Sequence, residues 1–348
     1  MASMRERRSH ALGLRVVLAM VAAAGMAACG SAGGVTQAGP ASPTQQNYVQ
    51  VVKKLLPSVV QIDAGQQTGS GVVFDSAGDI VTNAHVVGRA RTVKIFVSQT
   101  SEPLVAHLVG RFFPDDLAVV RVSNPPADLR PARWANSDSV QVGEFVLAMG
   151  APYGLVDSVT QGIVSATGRT VTGPTVTGRP PMVITNAVQT SAQINPGNSG
   201  GALVLLSGEV VGIPTLTARD PALGTDVNGI GFAIPSNTVE DIAAQLIRTG
   251  RVTRSDRASL QISGSTYASR SGAGDGVAVD LALRDGAARV AGIRAGDVIV
   301  GLGQAKTASV ADLENALISY RPGEKVLVHV LRDGEHKMFT VRLGSLGS

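Results

Sequence analysis

The sequence predicts a mainly β protein with two globular domains behind an N-terminal extension, and three observations carry that prediction. Short apolar β-type runs recur at 59–62, 71–74, 93–97, 117–122, 145–149, 202–205 and 210–213, punctuated by turns such as Asp75-Ser76-Ala77-Gly78 and Ser207-Gly208-Glu209. Strands this short and this frequent argue for an all-β barrel or sandwich. The composition, 44% hydrophobic and 16% charged, supports a buried core; with aromatics at 3% beside 41 glycines, that core is Val, Ile, Leu and Ala between many turns. The length of 348 residues leaves room for two domains of about 150 residues each and an extension. The single cysteine, Cys29, excludes an internal disulfide and any multi-cysteine zinc site.

At the N-terminus, basic residues from Arg5 to Arg15 precede an apolar run at 16–28 that is shorter than the roughly 20 residues needed to span a bilayer. Residues 1–28 therefore read as an export signal peptide. The run ends Met26-Ala27-Ala28-Cys29-Gly30, which resembles a bacterial lipoprotein box with Met26 in place of the usual Leu, so Cys29 is the expected lipidation site. Residues 29–47, rich in Gly, Ala, Ser, Pro, Thr and Gln, read as a flexible tether. The folded part is then expected in the bacterial cell envelope, outside the cytoplasm and held to the membrane by lipid. The net charge of +4 falls to +1 without residues 1–28, which removes the compositional case for nucleic-acid binding.

The first domain is expected over 48–250. Val49, Val52, Leu55 and Leu56 recur at helical spacing until Pro57, so a short helix leads in. The strands follow, and a helix at 238–249, with Val239, Ile242, Ala243, Leu246 and Ile247 on one face, closes the domain. The charged stretch 251–257 is the linker. A second domain, 257–345, mixes strands with a helix at 310–318 and a hairpin turn at Arg332-Asp333-Gly334-Glu335.

The chemistry is concentrated in three segments of the first domain. A serine is a poor nucleophile until a base takes its proton, and acyl transfer needs donors aimed at the developing oxyanion. In Gly197-Asn198-Ser199-Gly200-Gly201, the flanking glycines let the backbone turn sharply and expose the Ser199 hydroxyl, while the amides of Gly197 and Ser199 can converge on one point. His85, in Thr82-Asn83-Ala84-His85-Val86-Val87, directly follows a strand-like run and is the candidate base. Asp116 stands at the mouth of the apolar run 117–122, where it could hold the imidazole in its reactive tautomer; Asp115 is the competing choice. The order His, Asp, Ser is the one found in chymotrypsin-like barrels.

At these segments the sequence resembles the HtrA/DegP family of trypsin-like serine proteases, over about residues 46–344. The shared motifs are T-N-A-H-V-V, D-L-A-V-V and N-P-G-N-S-G-G, with Gly69-Ser70-Gly71 and Gly229-Ile230-Gly231-Phe232-Ala233-Ile234-Pro235-Ser236. The resemblance implies a chymotrypsin-like pair of perpendicular β-barrels with the site in their cleft, followed by a smaller PDZ domain. It assigns His85 as general base, Asp116 as its orienter, Ser199 as nucleophile, and the amides of Gly197 and Ser199 as the oxyanion hole.

Two departures bear on mechanism. Asn198 stands where digestive relatives carry the aspartate that pairs with a newly cut N-terminus, so control is expected from loop order, oligomer contacts or the PDZ domain. Ser191-Ala192-Gln193 replaces the usual Asp-Ala-Ala, and Gln193, six residues before Ser199, falls at the floor of the specificity pocket in such folds. With Thr215, Leu216, Thr217, Ala218 and Ile230 as expected walls and no counter-charge for Arg or Lys, small or medium apolar side chains are the expected preference.

In the second domain, Gly292-Ile293-Arg294-Ala295-Gly296-Asp297-Val298-Ile299 resembles the A-G-L-x-x-G-D-x-I signature of bacterial PDZ domains. These take a C-terminal carboxylate on backbone amides while the peptide adds a strand to the sheet. The corresponding loop is expected at Ser259, Leu260, Gln261 and Ile262, where Gln261 replaces a permissive glycine and would weaken or alter carboxylate binding.

His107, His329 and His336 read as structural or solvent-facing and Trp134 as a packing residue, and no metal-ligand spacing or phosphate loop is present, so neither metal nor cofactor is expected. The leading reading is a lipid-tethered serine endopeptidase for misfolded or signalling envelope proteins. Its expected partners are unfolded or C-terminally exposed chains and, by family resemblance, two further copies in a homotrimer. The competing reading is a chaperone or scaffold without turnover.

Overall fold

A computed structural model describes residues 43–97, 102–151, 158–173, 182–195, 197–219, 226–268 and 275–347. Cys29 and the leader lie outside the described residues. Helix α1 (Pro43–Leu55) starts on a proline, which fits the first turn because its missing N–H would have no partner there, and ends on Lys53 and Lys54, whose charges favour a helix C-terminus. Val51 and Leu55, one turn apart, are buried, with Tyr48 and Val52 packed beside them; Val49, expected on the apolar stripe, faces solvent instead, and Val51 takes the buried position.

The first barrel follows. Strands β1 (Val59–Asp63), β2 (Thr68–Val73) and β3 (Asp79–Asn83), the short helix α2 (Ala84–Val87), and strands β4 (Thr92–Phe96), β5 (Leu104–Phe112) and β6 (Leu117–Val122) close in the order β1-β2-β3-β6-β5-β4. Its interior holds Val60, Ile62, Val73, Ile80, Val93, Ile95, Ala106, Ala118 and Val120. Buried Asp79 accepts two hydrogen bonds from Arg121 directly across the β3–β6 ladder, at 2.7 and 2.5 Å, which fixes the register.

The second barrel is built from β7 (Phe145–Gly150), β8 (Ser158–Thr172), β9 (Val183–Thr190), β10 (Ala202–Leu205), β11 (Val210–Arg219) and β12 (Asp226–Pro235), in the closed order β10-β11-β12-β9-β8-β7. Closing each barrel removes its free edges. Helix α3 (Ser236–Thr249) buries Val239, Ile242, Ala243 and Leu246 into the core shared by the two barrels, and Gly250, at φ 71°, ends it by donating to Leu246 O at 2.8 Å. Each of Val239, Ile242 and Leu246 is worth about 1.5–3 kcal/mol when buried, and the Ala243 methyl less.

The stretch 251–257 has no regular structure, yet it is pinned. Gln245 of α3 accepts from Thr253 N at 2.9 Å and donates to Arg254 O at 2.9 Å, and Ser255 N donates to Ser345 Oγ at 2.6 Å.

The remaining elements are β13 (Ala258–Ser259), β14 (Ile262–Tyr267), β15 (Gly276–Ala282), α4 (Ala287–Val290), β16 (Val298–Leu302), β17 (Ala305–Lys306), α5 (Val310–Leu317), β18 (Lys325–Arg332), β19 (Glu335–Arg342) and β20 (Gly344–Ser345). The main sheet runs β14-β15-β16-β18-β19 around a separate core that includes Leu260, Val277, Ile299, Leu313, Val328 and Val341. The Gly296-Asp297 signature has a plain physical basis. Buried Asp297 accepts from Arg332 Nε and Nη2 at 2.6 and 2.7 Å and from Arg294 N at 2.8 Å. These bonds outweigh its burial and hold the carboxyl below its usual range.

The expected strands at 117–122 and 202–205 coincide with β6 and β10, and the others shift by a residue or a few. Strands β5, β8, β9 and β12 had no matching apolar run; β8 is half-buried to exposed along most of its length, so its Thr, Gln, Gly and Arg residues carry no core signal.

Candidate active site

Register brings the first two groups together. In the β3–β6 ladder Asn83 pairs with Leu117, so the residues just beyond, Ala84 and Asp116, also face one another. Ala84 N donates to Asp116 O at 2.9 Å and Asn83 Nδ2 to the same oxygen at 3.1 Å. A 3-10 turn, Phe113–Asp115, precedes Asp116, which itself adopts a left-handed φ of 53°. Aspartate tolerates that region better than most residues. The turn swings its carboxylate back over α2.

There Asp116 accepts from His85 Nδ1 at 2.7 Å, from His85 N at 2.9 Å and from Thr215 Oγ1 at 2.6 Å. The carboxylate is 2% exposed while the imidazole is half exposed in a cleft of about 330 Å3. Burial pushes the His85 pKa down, but the hydrogen bond and charge of Asp116 together outweigh it, leaving the imidazole above its ordinary value. Thr215 comes from β11 of the second barrel, so one carboxylate couples both barrels. Sequence reading placed Thr215 only as a pocket wall; the alternation of a strand was the available signal for its inward hydroxyl, and nothing in the sequence indicated its partner.

Asp115, next in the chain, points elsewhere. It is buried, its Oδ1 has no hydrogen-bond partner, and burial pushes its carboxyl up to about 7 despite nearby Arg257. Arg257 Nη1 donates to Pro114 O at 3.2 Å, so this side of the turn faces the 251–257 segment rather than the imidazole. The folded-state pKa lies above the unfolded value of 3.8, so the protonated carboxyl stabilises the fold at low pH and that stability is lost as pH rises through about 7. Between about pH 4 and pH 7 the wild-type melting temperature should fall more steeply than that of Asp115→Asn. Parallel pH dependence of the two proteins in thermal melts would contradict this.

Ser199 lines the same cleft as His85, and no hydrogen bond joins the two side chains in this structure. Its loop is tightly wound: Gly197 has φ 107° and Gly200 φ 81°, and a Cβ on Gly200 would collide with Ser70 O and Thr82 Oγ1. Asn198 N donates to Asn195 O at 3.0 Å, Gly200 N to Pro214 O at 3.0 Å and Gly201 N to Asn198 O at 3.0 Å. Among the described residues the amides of Gly197 and Ser199 meet no acceptor, which leaves two donors free beside the hydroxyl.

The expected pocket residues divide. Thr215 and Thr217 line the cleft, whereas Leu216 packs into the main core, as alternation along β11 requires. Ala218 and Ile230 do not line it. Gln193 is exposed and also outside it; its carbonyl accepts from Thr160 Oγ1 at 2.7 Å and from Asn198 Nδ2 at 3.4 Å, a donation that an aspartate at 198 could not make. The neighbouring Ile194 lines the cleft instead, packed where Gly231 leaves room.

In the second domain Leu260 and Ile262 line a groove of about 280 Å3 with Val310, Leu313 and Leu317 of α5. Gln261 holds the left-handed conformation, φ 58°, without glycine's freedom. Its side chain turns away from the groove, accepting from Ala287 N at 3.0 Å and donating to Ser345 O at 3.2 Å. Ser259 Oγ accepts from Gln261 N at 2.9 Å and helps hold the loop. Among the other set-aside residues, His107 and His336 are exposed, and Trp134 packs on Phe74 at 5.8 Å between ring centres.

Two stretches of the chain match known domain families. Residues 69–213 match the trypsin-like peptidase domain and residues 261–343 the PDZ domain. The chain is 39% identical over 275 residues to the periplasmic serine endoprotease DegP of Escherichia coli (strain K12), covering 77% of this chain and 55% of that protein, so it spans about half the length of such relatives. It is 35% identical over 317 residues to the serine endoprotease DegS of Salmonella typhimurium, covering 86% of each. The crystal structure of the serine endoprotease from Yersinia pestis superposes with a TM-score of 0.54 at 34% identity, over 88% of this chain and 99% of that one. On this sequence identity and coverage, together with the shared fold, the chain belongs to the HtrA family of trypsin-like serine proteases that carry a PDZ domain.

Proposed function

We propose that this protein is a serine endopeptidase that cleaves unfolded or C-terminally exposed proteins of the cell envelope through an acyl-enzyme. The observation that carries the reading is the buried Asp116 carboxylate accepting from His85 Nδ1 in the cleft that Ser199 also lines. With Nδ1–H committed to Asp116, Nε2 is the lone-pair nitrogen and takes the Ser199 proton as Oγ attacks the peptide carbonyl. Such nucleophile–base hydrogen bonds commonly tighten only once substrate is bound. The unengaged amides of Gly197 and Ser199 then meet the oxyanion, and the imidazolium returns its proton to the departing amine. Water, activated by the same imidazole, releases the acyl group. A fluorophosphonate probe tests this directly: wild type is expected to be labelled at Ser199, and an unlabelled, folded protein would favour the scaffold reading.

We assign residues 48–250 to the protease and 257–345 to the PDZ domain. Ile194, Thr215 and Thr217 present no acidic group to an incoming side chain, so peptide libraries should be cut after Val, Ala, Ile, Thr or Leu. Dominant cleavage after Arg or Lys would contradict this. The apolar groove beside Leu260 and Ile262 fits a C-terminal peptide added as a strand to β14.

Export and envelope location are supported by the leader sequence and by relatives named as periplasmic. No described helix is long and apolar enough to cross a membrane. Lipid on Cys29 would supply the anchor, and labelled palmitate should enter wild type but not Cys29→Ser. Incorporation unchanged by the substitution would refute the anchor. A homotrimer is the proposed assembly, and it rests on the resemblance to the family.

A further inference from the structure

The cleft has two walls, and they differ in chemistry. Ile194, Thr215 and Thr217 come from the second barrel, whereas Gln67, Thr68, His85 and Val86 come from the first. The turn that leads from β1 into β2 is fixed by Ala64 N donating to Gln67 O at 2.9 Å and Gly65 N to Asp63 Oδ1 at 2.8 Å. Strand β2 then passes directly beside the nucleophile. Ser70 N donates to Ser199 O at 2.9 Å, and a Cβ on Gly69 would lie 3.1 Å from that oxygen and 2.6 Å from Val86 Cγ2. Glycine at 69 therefore keeps this wall within reach of the reacting centre. The Gln67 side chain lies over the end of α2, where its Oε1 would be 3.4 Å from a Cβ on Gly88. Gln67 is exposed and Thr68 half-buried, and among the described residues neither side chain makes a hydrogen bond.

The reaction decides what each wall meets. His85 Nε2 takes the proton from Ser199 Oγ and returns it to the departing amine, so the leaving nitrogen sits on the imidazole's side of the scissile bond. The chain that leaves with that nitrogen therefore runs along the wall that carries His85, and the acyl side chain occupies the opposite one. We propose that Gln67, with Thr68 beside it, selects the first two residues after the scissile bond and favours uncharged hydrogen-bonding side chains there: Ser, Thr, Asn or Gln. The Gln67 amide both donates and accepts, so it pairs with a hydroxyl or a second amide in either sense. Apart from the imidazole, this wall offers no charged group to pair with an incoming charge. An apolar side chain would displace water from the Gln67 amide and leave it unpaired, a cost that the free enzyme does not bear. Gln67 thus acts on the choice of substrate and not on the proton transfers.

The inference rests on Ser199 being the nucleophile and His85 its base. The test compares full-length wild type, Gln67→Leu and Gln67→Glu on internally quenched peptides that share one acyl-side sequence. Ser, Gln, Leu or Lys is placed in turn at each of the two positions after the cut. Wild type is expected to favour Ser and Gln over Leu by about fivefold in kcat/KM, the worth of one hydrogen bond. Gln67→Leu should remove or reverse that preference, and Gln67→Glu should move it toward Lys. Equal selectivity in all three proteins, or a loss spread evenly over every peptide, would overturn the proposal. So would a matching loss on a substrate whose leaving group is an aminocoumarin, because that substrate has no residue after the cut. Failure of fluorophosphonate to label wild type would instead overturn the active-site assignment on which it rests.

Discussion

Ser199→Ala is expected to abolish hydrolysis of an unfolded protein such as casein, with a loss of about 10⁴-fold or more in kcat/KM, while the melting temperature stays near that of wild type. The physical reason is that only Oγ is lost. The loop around it is held by backbone contacts that alanine keeps, Ser70 N to Ser199 O at 2.9 Å and Gly201 N to Asn198 O at 3.0 Å. His85→Ala should be about as damaging, because nucleophile and base act as a unit: without the imidazole the hydroxyl keeps its proton at neutral pH. Casein digestion followed by gel, with thermal melts in parallel, gives the answer. Near-normal turnover by either variant would remove both residues from the mechanism.

Asp116→Asn carries the second largest expected effect, about 10⁴-fold in kcat. An amide here has to meet His85 Nδ1, His85 N and Thr215 Oγ1, which all converge on the two carboxylate oxygens. Whichever way it is placed, its NH2 confronts a donor, or drives the imidazole into the tautomer with its hydrogen on Nε2, which cannot accept the serine proton. The same substitution removes the charge and hydrogen bond that hold His85 above its ordinary pKa, so the acid limb of kcat/KM should move to lower pH in the residual activity. Since the base must be neutral to act, wild-type activity should rise with pH through that raised value. Asp115→Asn, one residue away but turned toward Arg257, should be mild in rate. A reversed ranking of the two substitutions would reassign the orienting carboxylate.

Much of this protein was legible along the chain, and the reason differs from part to part. The run at 202–205 is continuously apolar and that at 117–122 is interrupted only by Arg121, and apart from that arginine they became largely buried strands because a barrel interior accepts little else. The helix expected at 238–249 announced itself through Val239, Ile242, Ala243 and Leu246 on one face, and it runs from 236 to 249. The three motif segments, separated by more than 100 residues between His85 and Ser199, could be read as one site because the residue types each chemistry needs are few.

What stayed hidden was whatever depends on a partner from another strand. The left-handed turn at Asp116, which decides between two adjacent carboxylates, follows from where the β3–β6 ladder ends. Thr215 reads as one more threonine in a strand until β11 is laid beside the first barrel and its hydroxyl reaches Asp116. That Gln193 faces out while Ile194 lines the cleft depends on what the backbone of this irregular segment bonds to, here Thr160 and Asn198. Ser70 reads only as part of the Gly69-Ser70-Gly71 motif, and its hydroxyl's bond to Gly197 O, 127 residues on, appears only when the barrels are laid together. Residue type and periodicity are properties of the chain and encode strands, helices and reactive groups; orientation at the site is a property of closure, created when two barrels bring together groups that the chain keeps far apart.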